Sequence, residues 1–458
     1  MRKERFRYGA ALWGLLVLIW GGLALAAADG RAPELKIAVN PPVAVYGTPF
    51  SLKVTGLQPG ERATIKAVST DARKIIWEST AVFEADAAGA VDVARQAPVS
   101  GSYGEADIFG LLWSMKPVNP PSQQRIGYRD DEVNGWTVDF SVTDAAKATA
   151  SARFRCVYQM PGRGLVRVPL EKDGLRGFLY HPAEGGPFPG VIILGGSNGG
   201  LYEWLAQAFA SNGFAALTLA YFQYPSLPAE LVEIPLEYFM KAAAWMKIQP
   251  QVIAGRLGLA GGSKGGELAL LLASQTDDFR AVVAWTPAAH VWEGMSQKFF
   301  APDYKPISSW SLNGQPLPFM PFKASPEDKA KEMKGELSSY VAFHRDSLAQ
   351  ADPAALEKAA IPVEKIRAPI LLVSGTDDQT WPAGEFCAAI MARLKKAGFA
   401  YEVKHVVNEK GGHQSFLPYF LTANRGGGIS GGEPKADARG GYRSWAETMA
   451  FLHRYLDR

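Results

Sequence analysis

Gly261-Gly262-Ser263-Lys264-Gly265 is the stretch that decides the fold. It follows an apolar run at residues 256–260 and precedes a helix-like run at residues 267–273. A strand, a sharp turn that carries a serine, and then a helix leave the serine hydroxyl exposed, as a nucleophile requires. Side chains at Gly261 and Gly265 would crowd such a turn. The stretch therefore predicts a nucleophile, Ser263, at the end of a strand.

The pattern has competing interpretations, because a glycine-rich loop before a helix also binds phosphate and because the chain contains the pattern twice. The lysine and hydroxyl pair of a phosphate-binding P-loop does not follow here. The second copy, Gly195-Gly196-Ser197-Asn198-Gly199, lies two predicted strands earlier in an alternating β/α series. In an α/β-hydrolase, such an upstream loop gives a backbone N–H to the oxyanion hole. We therefore assign Ser197, Asn198 and the Lys264 backbone to the oxyanion hole and Ser263 to the attack.

Candidates for an acid and a base follow in chain order. An apolar strand at 369–374 runs into Asp377 and Asp378, and a later strand at 401–407 runs into a glycine turn with His413. Serine, acid, histidine is the α/β-hydrolase order. The pattern does not distinguish Asp377 from Asp378. It favours His413 over the other five histidines, because each of those lacks a preceding predicted strand, a glycine turn or a position after the acids in the chain. The five are His181, His290, His344, His405 and His453.

Further motifs are spread over nearly the whole chain after its first residues. They include Gly56-Leu57-Gln58-Pro59-Gly60, Gly110-Leu111-Leu112-Trp113-Ser114-Met115, Ser263-Lys264-Gly265, Asp377-Asp378-Gln379-Thr380-Trp381 and Gly431-Gly432-Glu433-Pro434. In these motifs the chain resembles the acyl-CoA thioesterase and bile acid-CoA:amino acid N-acyltransferase family.

The resemblance implies Ser263 as the nucleophile, Asp378 rather than Asp377 as the acid, and His413 as the base. It implies hydrolysis of acyl-CoA thioesters, since the transferases of the family resemble cysteine enzymes at the position of Ser263. An acyl ester is also less disposed to aminolysis than an acyl thioester, which favours water as the acceptor. An exported carboxylic ester or lactone hydrolase is the alternative. Amino-acid transfer and a non-catalytic binding protein are further candidates.

Composition excludes some classes of partner. The formal charge is +3, from 48 basic and 45 acidic residues, so neither a nucleic-acid surface nor an anionic-lipid patch is indicated. A small-molecule substrate is expected, and we assign no cofactor and no metal site. Cys156 and Cys387 are too few for a disulfide framework, and we expect both to be buried thiols.

The amino terminus carries a targeting signal. Four basic residues precede an uncharged stretch at 9–28 that ends in small residues, which is typical of a secretory signal peptide cleaved after Ala26 or Ala28. We therefore expect residues 1–28 to be a signal peptide and the protein to be secreted or periplasmic. The alternative is an uncleaved segment that tethers the protein to a membrane, because about 20 apolar residues can span a bilayer.

Two domains are expected in a chain of 458 residues. Residues 32–148 predict an all-β, immunoglobulin-like sandwich, and residues 152–458 predict an α/β-hydrolase catalytic domain. An aromatic-rich segment at about 290–361 interrupts the β/α alternation, where such enzymes place a lid over the acyl group. Aromatic packing that merely anchors a long loop is the alternative. The aromatic residues are Trp292, Phe299, Phe300, Tyr304, Trp310, Phe319 and Phe322.

Overall fold

The computed structural model describes residues 34–118, 128, 131, 134–299, 301, 303–418 and 429–457. The predicted signal peptide, residues 1–28, and Phe300 lie outside the described residues. Within these ranges, no helix is long and apolar enough to cross a membrane.

The amino-terminal unit consists of two sheets of short strands. Buried and exposed residues alternate along most of them, as in the nine-residue strand Arg62–Thr70, because one face of each strand packs inward. The elements are β1 (Lys36–Asn40), β2 (Val43–Val45), β3 (Ser51–Thr55), β4 (Arg62–Thr70), β5 (Ile76–Glu84), β6 (Val91–Asp92), β7 (Ser100–Gly101), α1 (Gly110–Trp113), β8 (Lys116–Pro117), β9 (Trp136–Thr143) and β10 (Thr149–Val157).

The two sheets pack on one another. One has the order β1-β3-β6 and the other β2-β10-β9-β4-β5-β7, with β8 added on β5. Phe50 and Phe154 stack between them with ring centroids 4.4 Å apart. The predicted all-β domain before the catalytic domain is therefore confirmed.

The amino-terminal sheet extends beyond the boundary predicted at residues 148–152. That boundary falls inside β10, which pairs with β9 over eight residues and with β2 up to Val157. Residues 144–148, just before it, form a hairpin turn between β9 and β10. In this turn Asp144 N–H donates to Ala148 O at 3.1 Å, and Lys147 adopts a positive φ of 70°.

The second unit is an eight-stranded, mostly parallel sheet. Its strand order is β11-β12-β14-β13-β16-β17-β20-β21, in which β12 runs antiparallel to both neighbours. The remaining strands of the chain are β11 (Leu165–Leu170), β12 (Arg176–Pro182), β13 (Phe188–Leu194), β14 (Ala215–Ala220), β15 (Ile234–Pro235), β16 (Val252–Gly262), β17 (Ala281–Trp285), β18 (Trp310–Leu312), β19 (Gln315–Pro316), β20 (Ile370–Gly375) and β21 (Val403–Asn408). This order is that of the α/β-hydrolase fold, as predicted.

Helices cover both faces of this sheet, so the central strands are mostly apolar. Ile192 faces one cluster of buried residues, together with α3, α4 and α8, while its neighbours Val191 and Ile193 face the other, with α2 and α9. The helices are α2 (Glu203–Ser211), α3 (Leu236–Lys247), α4 (Lys264–Ala273), α5 (Pro326–Met333), α6 (Val341–Ala349), α7 (Pro353–Ala359), α8 (Ala383–Lys396) and α9 (Pro434–Leu456).

The segment between β17 and β20 is an insertion that contains β18, β19, α5, α6 and α7. With β15, the two short strands form a separate three-stranded sheet. Trp292 and Trp310 are fully buried, so part of the aromatic content anchors the insertion. Phe299 and Phe322 instead line a cavity, which is described below.

The two units contact each other through aromatic rings and ion pairs. Tyr46 packs edge-on against Trp204 and Trp445, with centroids 5.6 Å and 5.3 Å away. Arg439 Nε donates to Asp107 Oδ2 at 3.0 Å across the same interface. The long helix α9 therefore joins the amino-terminal unit to the hydrolase sheet.

Gly47→Ala is expected to destabilise this interface. Gly47 has a φ of 87°, and a Cβ there would lie 2.1 Å from Trp445 Nε1. Gly60 is a matched control, with a φ of 76° and no atom within 4 Å of its Cβ position. Gly60→Ala should cost about 1 kcal/mol of backbone strain, and Gly47→Ala roughly 2 kcal/mol more. Thermal unfolding measures both, and equal losses would contradict the predicted clash.

Candidate active site

Ser263 occupies the sharp turn between β16 and α4. Its φ of 59° and ψ of −123° are unusual for any residue but glycine, so the turn is strained. The backbone is tightly packed here: a Cβ on Gly261 would lie 2.1 Å from Gly265 O, and one on Gly265 would lie 2.3 Å from Leu194 O. The serine therefore lies on the kind of turn that the sequence predicted.

The first glycine turn lies directly against this serine. A Cβ on Gly196 would be 3.2 Å from Gly262 O and 3.5 Å from Ser263 Cβ. The hydroxyl of Tyr221 fixes the turn by donating to Gly195 O at 2.5 Å. Ser197 and Asn198, which follow Gly196, are thereby brought beside Ser263, and all three line one cavity.

Lys264 lies on the other side of the serine and begins α4. The backbone N–H groups of a first helical turn have no carbonyl partner within the helix, and they point toward its amino-terminal end. The Lys264 N–H is thus available beside Ser263 for a developing negative charge.

His413 and Asp378 form a buried pair. Asp378 Oδ2 lies 2.8 Å from His413 Nδ1, and both residues are buried. The other carboxylate oxygen, Oδ1, accepts from the N–H groups of Thr380 at 2.9 Å and Trp381 at 3.2 Å. Because these bonds hold the carboxylate in place, Nδ1–H donates to it and Nε2 is the acceptor nitrogen of the ring.

Asp377, which the sequence pattern left equivalent to Asp378, points elsewhere. Its Oδ1 accepts from Gln379 Nε2 at 2.7 Å, and its Oδ2 accepts from the N–H of Gly432 at 2.9 Å. Asp377 thus ties two loops together, while Asp378 contacts the histidine. Sequence spacing could not separate them because adjacent residues at the end of a strand point in different directions.

A third carboxyl, Asp437 of α9, supports the histidine loop and was not singled out from the sequence. Its Oδ1 accepts from the N–H of Gly412, next to His413, at 2.7 Å. Burial raises the pKa of Asp437 to about 7, and the nearby charges of Asp377 and Asp378 contribute to the rise. In the sequence, Asp437 resembles an ordinary acidic residue in the first turn of a helix, and nothing there indicates that it is buried.

A cavity of about 430 Å³ opens beside the serine. This volume lies in the range of small-molecule sites. Ser263, Lys264, Ser197 and Asn198 contribute one wall. The insertion contributes most of the other residues that line the cavity, and many of these are apolar. The apolar lining residues are Met295, Phe299, Phe322, Ala324, Phe343, Trp381 and Ile429.

His413 and Asp378 are not among the residues that line this cavity. Trp381 connects the two regions, because it lines the cavity and its ring centroid lies 5.8 Å from that of His413. The predicted residues thus fall into two groups, the serine with the oxyanion candidates and the histidine with its acid.

The Lys264 side chain holds the insertion against the serine turn. Its buried Nζ donates to Glu267 Oε2 at 3.1 Å, to Ser309 Oγ at 2.8 Å and to Trp292 O at 3.2 Å. Glu267 Oε1 accepts from Trp310 Nε1 at 2.7 Å. Burial lowers the pKa of the Lys264 ammonium and raises the pKa of the Glu267 carboxyl. The sequence pattern indicates a role only for the backbone of Lys264 and contains no sign of this network.

Two family models match most of the chain. Residues 47–171 match the model described as the acyl-CoA thioester hydrolase/BAAT N-terminal region. Residues 234–458 match the model described as BAAT/acyl-CoA thioester hydrolase C terminal. The two matches together include Ser263, Asp378 and His413, but not Ser197 or Asn198.

Curated relatives are similar over nearly their whole length. Acyl-coenzyme A thioesterase 3 of Mus musculus is 30% identical over 421 residues, which cover 89% of this chain and 91% of the relative. Acyl-coenzyme A thioesterase 1 of Homo sapiens is 30% identical over 422 residues, which cover 90% and 94%. Among solved structures, the acylaminoacyl peptidase of Pyrococcus horikoshii matches with 13% identity and a TM-score of 0.42, over 90% of this chain and 60% of that one.

Lys264→Met is expected to destabilise the fold by about 3–5 kcal/mol, because it leaves a buried carboxyl without its partner. The double variant Lys264→Met/Glu267→Gln should recover part of this loss, since the glutamine oxygen still accepts from Trp310. Lys247→Met is the control, because Lys247 forms an ion pair with Asp278 at the surface. Loss of this pair should lower the free energy of unfolding by less than about 1 kcal/mol. Chemical denaturation measures all three, and a similar loss for the two lysine variants would contradict the prediction.

Asp437→Asn is expected to change how stability depends on pH. The folded carboxyl binds its proton more tightly than the unfolded one. Its contribution to the free energy of unfolding is therefore fully present below about pH 4 and is lost as the pH rises through 7. The amide does not ionise, and its oxygen still accepts from Gly412. The variant should therefore gain stability relative to the wild type as the pH rises from 5 to 8, by roughly 2.6 kcal/mol. A difference in unfolding free energy that stays constant over this range would show that the carboxyl does not titrate there.

Proposed function

Because the chain belongs to the acyl-CoA thioester hydrolase/BAAT family, we propose that it hydrolyses acyl thioesters through an acyl-enzyme on Ser263. The observation that carries the proposal is the buried Asp378–His413 pair, at 2.8 Å, in the same fold as a serine on a strained turn. A histidine oriented by a carboxylate is the base that a serine nucleophile needs.

In the first step, the Ser263 hydroxyl attacks the thioester carbonyl and His413 Nε2 takes its proton. Asp378 keeps the Nδ1 proton in place and stabilises the imidazolium that forms. The tetrahedral intermediate then expels the thiolate, which receives the proton from His413. The products of this step are a free thiol and an acyl ester on Ser263.

The oxyanion of the intermediate needs donors that are already in position. We assign this role to the backbone N–H groups of Lys264 and of the Ser197-Asn198 turn, because both segments adjoin Ser263. Loss of one such donor typically raises the barrier by about 2.7–4 kcal/mol. The buried Lys264–Glu267 pair supports this geometry by holding the start of α4 against the insertion.

In the second step, water attacks the acyl ester while His413 takes its proton. The bond to Ser263 Oγ then breaks, His413 returns the proton to Oγ, and the carboxylic acid leaves. A serine ester is less reactive toward amines than a thioester, which favours hydrolysis over amino-acid transfer. The apolar part of the 430 Å³ cavity is suited to the acyl chain, since burying each CH₂ group contributes about 0.8 kcal/mol.

Residues 1–28 favour a second candidate, an exported carboxylic ester or lactone hydrolase. We propose that this segment is an export signal, so that the mature protein is secreted or periplasmic. The usual acyl-CoA substrates of the family are intracellular, whereas esters and lactones also occur outside the cell. The same serine, histidine and acid would cleave both kinds of carbonyl.

Asp378→Asn is expected to lower kcat by about 10³- to 10⁴-fold, because the histidine loses the partner that fixes its tautomer. Asp377→Asn is the matched control, since Asp377 bonds Gln379 and Gly432 instead of His413, and it should change kcat by less than about tenfold. The assay is thiol release from acyl-CoA thioesters of graded length, with protein that lacks residues 1–28 and with Ser263→Ala alongside.

Two outcomes would overturn this mechanism. The first is equal activity of Ser263→Ala and the wild type, and the second is an equal loss for the two aspartate variants. Cleavage of nitrophenyl esters without turnover of any acyl-CoA would instead select the second candidate substrate class, with the same catalytic residues.

A further inference from the structure

Trp381 lies between the two groups of site residues, and both of its N–H groups are hydrogen-bonded. It is 3% exposed, and it lines the cavity beside Ser263. Its backbone N–H donates to Asp378 Oδ1 at 3.2 Å, and its indole Nε1–H donates to Thr286 O at 3.0 Å. Because the backbone and the ring are anchored separately, the indole is held in one orientation.

Thr286, which accepts the hydrogen bond from the indole, has a strained backbone. It follows β17 and is fully buried, and its φ is 42°. A positive φ is an outlier for a β-branched residue, and it persists only where the surrounding structure enforces it. The N–H of Thr286 donates to Val373 O at 2.7 Å, which fixes this residue to the neighbouring strand. The roles assigned above to Ser263 and His413 do not account for this strain.

The residue before Thr286 holds the nucleophile turn. The carbonyl of Trp285 accepts from the backbone N–H of Ser263 at 2.9 Å. The end of β17 thus binds the serine turn through one carbonyl and the Trp381 indole through the next. Since these carbonyls belong to consecutive residues, the same strand end sets the position of the indole relative to the serine turn.

The indole packs against the predicted base. The ring centroids of Trp381 and His413 lie 5.8 Å apart, and the ring planes meet at 79°. Edge-to-face contacts of this kind are a favoured arrangement of aromatic rings. The hydrogen bond to Asp378 fixes Nδ1 of the imidazole, but it does not fix the tilt of the ring plane about that nitrogen. The indole restricts this tilt, which decides where Nε2 points.

We propose that Trp381 is a positioning residue: its indole, anchored to the strained end of β17, sets the plane of the His413 imidazole so that Nε2 faces Ser263. The inference rests on the proposed function, because it concerns the transfer of the Ser263 proton to His413. Trp381 itself takes no part in the proton transfer. Its effect on the rate is geometric, since a misplacement of about 1 Å can cost on the order of 10²-fold.

The test measures how fast diisopropyl fluorophosphate labels Ser263, because this reaction needs the base but no acyl chain. Trp381→Leu removes the aromatic edge and keeps an apolar side chain, so it should slow labelling by about 10- to 100-fold. Trp381→Phe keeps a ring but loses the hydrogen bond to Thr286 O, so we expect an intermediate rate. Mass spectrometry of the intact protein follows the adduct with time.

A double-variant cycle shows whether Trp381 acts through His413. In protein that carries His413→Ala, Trp381→Leu should slow labelling by less than about twofold further, because no imidazole is left to position. Losses that multiply would mean that Trp381 acts independently of the base.

Phe386→Leu is the control for a loss of packing. Phe386 is also buried, and its ring centroid lies 6.0 Å from that of Trp381. Like Trp381→Leu, this variant should lower the temperature of thermal unfolding. It should change the labelling rate by less than about threefold, whereas a purely structural role of Trp381 would give both variants similar labelling rates.

Turnover of acetyl-CoA and dodecanoyl-CoA separates positioning from a role as cavity wall. If Trp381 positions the base, Trp381→Leu lowers kcat by a similar factor for both substrates and changes KM by less than about threefold. If it serves only as wall, the variant raises KM for dodecanoyl-CoA and leaves acetyl-CoA hydrolysis unchanged, which would contradict the inference.

The positioning role is also contradicted if Trp381→Leu is labelled as fast as the wild type, or if its loss multiplies with that of His413→Ala. Acyl-CoA hydrolysis by the wild type would in either case leave the proposed function intact. Slower labelling of Trp381→Leu in a protein that cleaves no acyl-CoA would support the inference, and the proposed substrate alone would fail. Lack of labelling of the wild type at Ser263 would overturn both.

Discussion

Close packing of backbone at the turn between β16 and α4 is the constraint on which the rest of the site depends. Gly261 approaches Gly265, and Gly265 approaches the end of β13, so closely that neither position has room for a side chain. Ser263 is held at a positive φ by this packing. The same contact brings the Gly196 turn of the neighbouring strand against the serine. One steric arrangement thus fixes the nucleophile and the loop assigned to its oxyanion hole.

The insertion is coupled to this turn through a buried charge. Lys264 follows the serine directly, and its Nζ contacts Ser309 and the carbonyl of Trp292, both in the insertion. Glu267, one turn along α4, contacts Trp310. The cavity is therefore bounded by elements that one buried pair holds together. Acyl selectivity and oxyanion geometry are expected to be linked for this reason, since a shift of the insertion would also move the start of α4.

Much of the fold and part of the site could be predicted from sequence, since they depend on local patterns. Mostly apolar strands and glycine turns are patterns of consecutive residues, and the order of serine, acid and histidine is visible along the chain. The predicted boundary at residues 148–152 falls inside β10, because the pairing of β10 with β9 and β2 depends on segments that are distant in sequence. The role of Asp437 could not be predicted either, because it depends on burial by segments far away in the sequence, which no short pattern records.

The most direct test of the central claim is to locate the reactive serine chemically. The protein without residues 1–28 is treated with a fluorophosphonate, digested, and mapped by mass spectrometry. We expect one adduct per molecule, on Ser263, with slower labelling when Asp378 is replaced by asparagine. An adduct on Ser197, the serine of the other glycine turn, would contradict the assignment. So would the lack of any adduct in protein that still hydrolyses acyl-CoA.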